Sequence, residues 1–99
     1  MFRTIQSYIR DKKNNPISTL LGCKYKGFVW ISWSKCNKKY DQFSKREGRK
    51  IALKRIRDGE TKALMPYDVI NIIDKFAKRL ALYYKVNSVC VVPEKKKNK

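Results

Sequence analysis

Apolar and polar residues alternate loosely through residues 2–10, FRTIQSYIR. Their β-favouring Phe, Thr, Ile and Tyr predict a strand. DKKNNP follows and supplies Asp, Asn and Pro for a turn. Two more apolar runs, ISTLLGCKY and FVWISWSKC, are separated only by Lys26 and Gly27, a connection of hairpin length with glycine where a positive φ is tolerated. The three runs together predict an antiparallel meander. In a regular strand Trp30 and Trp33 point to opposite faces, so one can be core and the other exposed; coverage by a helix is the expected fate of each, ahead of a base-stacking platform.

The period then changes from two to that of a helix. Ser44 with Glu47 three positions on forms a capping box, hydroxyl and carboxylate each satisfying an orphan backbone N–H. This predicts a helix from Lys45 to about Asp58, stopped by Gly59. Ile51, Ala52 and Ile56 fall on one side of it, with Gly48 permitting close approach, while Arg46, Lys50, Lys54 and Arg57 form a stripe. A second helix is expected to begin near Pro66 and continue through YDVINIIDKFAKRLALYYK. Val69, Ile73, Phe76, Leu80 and Tyr83 recur at helical spacing, and the early Asp68 and Asp74 and late Lys78, Arg79 and Lys85 suit the helix dipole. This helix is expected to cover the sheet. SVCVV, 88–92, reads as a short fourth strand.

The fold class that follows is α+β: an antiparallel sheet of three or four strands, opening with the meander, packed by two helices. At 99 residues the chain has room for one core, so residues 1–92 are expected to form one globular domain and 93–99, PEKKKNK, a disordered basic tail. The tail's KKK could serve as a nuclear import signal, but a solvated terminus is the favoured reading. No apolar run is long enough to span a membrane, and the start MFRTIQSYIR lacks a signal peptide's apolar segment and cleavage site. An intracellular place is therefore expected. Cys23, Cys36 and Cys90 are odd in number and lie in apolar settings, as reduced, partly buried thiols do; a three-thiolate zinc site lacks a CxxC pair and a histidine to complete it.

Charge changes the picture most. Twenty-five Lys and Arg stand against eight Asp and Glu, a net +17, and such a self-repelling surface calls for a polyanion as partner. Nucleic acid comes first; an anionic membrane surface or an acidic protein would gain from the same field. The excess is clustered: residues 35–57 carry ten cations and two carboxylates, whereas residues 58–92 carry five and four. Biased codon usage would raise lysine everywhere and does not explain that contrast. A like-charge stripe costs a few tenths of a kcal/mol per neighbouring pair (~0.2–0.5), a cost that phosphates would reverse. Lys38, Lys39, Arg46, Arg49, Lys50, Lys54 and Arg57 are accordingly the candidate phosphate ligands, with Lys35 in the same stretch and Tyr40 able to stack on a base. A solvated face that only confers solubility is the competing reading.

Catalysis is not expected. The chain has no histidine, and its few carboxylates show no spacing that would hold a metal or form an acid/base pair. Cys36 has lysines nearby but no evident base. No cofactor is implied. Zinc-finger, RNP and KH motifs are absent, so readout is expected to be largely independent of sequence.

GFVWISWSKCNKKYDQFSKREGRKIALKRI resembles a group of small proteins encoded by bacteriophages and prophages, in which a strand with a W-S-x-C-N pattern precedes D-x-F and a helix of the form K-x-x-G-x-x-I-A. The matching residues are Trp33, Ser34, Cys36, Asn37, Asp41, Phe43, Gly48, Ile51, Ala52 and Arg55, and YIRDKKNNPIS resembles the group's first hairpin. Tyr40 and Lys54 depart from it, standing where lysine and glycine are expected. The resemblance implies a viral setting in the host cytoplasm and nothing about mechanism. It raises a second functional expectation: an inhibitor that binds a host defence or polymerase protein or a ribonucleoprotein. An uncovered sheet edge or exposed Trp could make a dimer, though nothing in the pattern requires one.

Overall fold

The computed structural model describes residues 3–36 and 44–93. Three strands, β1 (Thr4–Arg10), β2 (Pro16–Tyr25) and β3 (Phe28–Lys35), form the expected meander. The β1–β2 turn is built around Asp11, whose carboxylate accepts the backbone N–H groups of Lys13 and Asn15, both at 2.9 Å. Between β2 and β3, Lys26 and Gly27 both take positive φ, 51° and 85°, the two-residue turn whose twist matches that of the strands. Two helices follow, α1 (Lys45–Asp58) and α2 (Tyr67–Tyr84), and then β4 (Cys90–Val91). Strand order is β1-β2-β3-β4, so the class is α+β with a mostly antiparallel sheet.

The fourth strand corrects the all-antiparallel expectation: β4 pairs with β3 in parallel, Trp30 opposite Cys90 and Ile31 opposite Val91. Parallel neighbours need a long crossover, and here both helices lie in it. Pro93 is likewise no part of a loose tail, because its carbonyl accepts the Thr61 N–H at 3.0 Å; residues 94–99 lie outside the described residues.

The helices occupy opposite faces of the sheet. A Cβ added to Gly48 on α1 would come 2.5 Å from the Thr19 Oγ1, and one added to Gly22 on β2 would come 2.3 Å from the Leu80 Cδ1 on α2. Thr19 and Gly22 are three apart in a regular strand and so face opposite ways. This explains why every residue from Ser18 to Cys23 is buried. On the α2 face, Ile9, Leu20, Val29, Ile31 and Trp33 meet Val69, Phe76 and Leu80. On the α1 face, Thr19, Leu21, Cys23, Ser32 and Ser34 lie beneath Gly48, Ala52 and Ile56. The small residues on both sides let the α1 backbone approach closely.

Two helix faces differ at their borders from the periodic reading. Tyr83 is exposed, and Tyr84 instead turns inward, its hydroxyl donating to the carbonyl of Arg3 at 2.9 Å. On α1, Ile51 is exposed while Leu53 is half-buried. Among the described residues, no helix is long and apolar enough to cross a membrane.

Candidate nucleic-acid interface

Local sequence fixes where α1 begins and ends. Ser44 adopts extended backbone and its Oγ accepts the Glu47 N–H at 3.2 Å, while Gly59, at φ 77°, closes the other end by donating to the carbonyls of Arg55 and Ile56. Only the hydroxyl half of the predicted capping box is made among the described residues. With the ends fixed and Gly48, Ala52 and Ile56 buried against the sheet, about 100° of rotation per residue turns Arg46, Lys50, Lys54 and Arg57 directly outward. All four are exposed, as is Arg49 on the flank. Among the described residues, no carboxylate lies within ion-pair distance of these five.

The five are not equivalent. Arg46, Arg49 and Lys50 share a shallow groove of about 240 Å³ with Leu53, all of whose charged walls are cationic. Lys54 lines a larger open depression of about 560 Å³ in which Arg55 and Lys62 are offset by Asp58 and Glu60. The cleanest positive field therefore lies over the first half of α1. Arg57 is exposed and lines neither depression. Lys38 and Lys39, together with Tyr40, lie outside the described residues.

Two cations of the basic stretch are occupied elsewhere. Lys35 belongs to β3, on the α2 face opposite Ser18, and its Nζ pairs with the Asp68 carboxylate at 3.6 Å. Arg55 reaches from α1 round the margin of β3, donates to the Trp33 carbonyl and lies 5.8 Å from the centre of that indole ring. Burial there pushes its guanidinium below the ordinary arginine value. Neither pairing leaves a local signal: the partners are 33 and 22 residues apart in sequence.

One addition escaped the sequence reading. Lys45, the first residue of α1, holds its Nζ 4.8 Å from the centre of the Tyr8 ring, which extends the cationic surface from α1 onto β1. The thiols offer little chemistry. Burial pushes Cys23 above the usual thiol range, away from the thiolate that would attack or bind metal. Among the described residues, no three of Cys, Asp and Glu come together as a metal site. Comparison with models of known protein families, with curated proteins and with solved structures finds no match.

Proposed function

We propose that this protein binds nucleic acid without catalysis and largely without regard to sequence, through phosphate contacts along the outer face of α1. The observation that supports the reading is the groove of Arg46, Arg49 and Lys50, exposed and without a carboxylate in its lining, on a helix whose opposite side is packed on the sheet. A rigid row of cations replaces the counterions of a phosphate backbone, and the gain comes from their release. Lys54 and Arg57 extend the row, and Lys38 and Lys39 adjoin it in sequence. The bacteriophage setting rests on the strand-loop-helix resemblance alone.

A salt-titrated series against duplex and single-stranded DNA and RNA tests the proposal. Five contacts predict a log–log slope of about −4.5 for duplex DNA, at about −0.9 per contact. Reversing Arg49→Glu with Lys50→Glu is expected to weaken binding to every sequence and flatten the slope by about 2. Lys75→Glu with Lys78→Glu, on α2, is the matched control and leaves the slope nearly unchanged. Equal affinity of the α1 variant and the parent would refute the reading.

A second reading, a viral inhibitor docked on a host protein or ribonucleoprotein, is favoured by a different set of residues. Leu64, Tyr67, Ile70, Leu82 and Tyr83 are exposed in the near-neutral part of the chain, and such apolar exposure suits a protein partner better than a phosphate backbone. A stoichiometric partner retained from host lysate after nuclease treatment would support it.

A further inference from the structure

The β2–β3 turn carries an aromatic group that the phosphate-binding role of α1 does not use. Tyr25 and Phe28 face each other across the turn, and Trp30, two residues further along β3, shares their side of the sheet. That side is the one α1 lies on, since Tyr25 and Thr19 are six apart in an unbroken register and Thr19 sits under Gly48. Phe28 is 61% exposed, far more than a core-forming phenylalanine, and Trp30 is half-buried whereas Trp33 is sealed in the α2-side core. Lys26 holds its Nζ 5.3 Å from the centre of the Tyr25 ring. No Asp or Glu occurs between Lys12 and Tyr40, so the charged side chains that β2, β3 and their turn themselves contribute are all cationic.

We infer that Phe28 and Trp30 form a stacking platform for unpaired bases, and hence that the nucleic acid bound is a single strand of DNA or RNA; the inference rests on the phosphate-binding reading of α1. Bases of a duplex are stacked on one another and cannot reach a ring, whereas those of a single strand can lie on any aromatic face, whatever their sequence. Along β2, at about 3.4 Å per residue, the Thr19–Gly48 contact lies about 14 Å from Trp30, which pairs with Cys23, and about 20 Å from Phe28, which pairs with Tyr25. Both distances fit within the stretch of roughly 4–16 nucleotides that single-strand-binding folds hold. Lys26 at the turn and the α1 row at the far end then hold the backbone while the rings take the bases.

The test uses the full chain with oligo(dT), oligo(rU) and a DNA duplex of equal length, reading affinity and tryptophan fluorescence. Single strands are expected to quench fluorescence, and Trp30→Phe to remove the quench. Phe28→Ala, at an exposed site, is expected to weaken single-strand binding by about 5- to 150-fold and to leave duplex binding unchanged; comparison of dT with rU shows which backbone is preferred. Absence of quenching, or a Phe28→Ala variant that binds single strands like the parent, overturns the platform. If Arg49→Glu with Lys50→Glu still weakens binding in that case, only the platform has failed. If that variant also binds like the parent, the phosphate-binding reading has failed with it.

Discussion

Gly48 is where sequence, packing and site meet at a single residue. In an exposed helix interior, alanine would be favoured over glycine by about 1 kcal/mol. Here a Cβ would come 2.5 Å from the Oγ1 and 3.2 Å from the Cβ of a fully buried Thr19, and a β-branched side chain has little freedom to turn aside. Overpacking of this kind costs about 1–3 kcal/mol, so the clash outweighs the propensity gain. Gly48→Ala is expected to lower stability by about 1 kcal/mol net, read as a fall in the urea midpoint. Thr19→Ala should recover much of that loss in the double variant, because it removes the nearest obstructing atom, the Oγ1, which belongs to a buried hydroxyl with no hydrogen-bond partner among the described residues. Strictly additive effects would show that the two do not touch.

At the scale of elements, legibility followed locality. The bounds of α1 could be read from Ser44 and Gly59 because a cap involves residues within one turn of each other. The same cap predicts that Ser44→Ala costs about 1 kcal/mol and Ser44→Gly only a few tenths, measurable by urea unfolding; equal losses would mean that the hydroxyl contributes nothing. The meander was equally legible, since its strands are joined by short turns with Asp11, Asn14 and Gly27 in place. The direction of β4 was not, because two residues carry no directional signal and their orientation is decided by the helices between Lys35 and Cys90. Ile51 and Tyr83 were misplaced for a related reason. Periodicity gives an apolar arc, but the crossing of helix over sheet decides which border of that arc is covered, and Leu53 and Tyr84 lie on the covered side. Of the candidate site, the exposed row on α1 was visible from spacing alone, whereas the loss of Lys35 to Asp68 and of Arg55 to Trp33 depends on contacts that only the folded chain creates.

For the whole molecule, charge and topology combine. The α1 face is cationic and the α2 side near neutral, with the sheet between them, so the two proposed readings call on different sides of the molecule. A net charge of +17 also opposes compaction. Stability is therefore expected to rise as sodium chloride is increased through the physiological range, where the screening length is about 8 Å, the opposite of the trend expected for the proposed phosphate contacts. Thermal unfolding across a salt series checks this, and a flat or falling midpoint would show that the charges are too far apart to strain the fold. The reach of Arg55 round β3 has a wider consequence. Beyond Ile31 the ladder between β3 and β4 ends among the described residues, and an unpaired strand margin is where chains add to one another and grow into fibrils. A guanidinium laid over the Trp33 carbonyl blocks such growth with a positive charge that a second copy would also carry. At this margin, though not along the outer edge of β1, pairing with a second copy is thus opposed by like charge as well as by bulk.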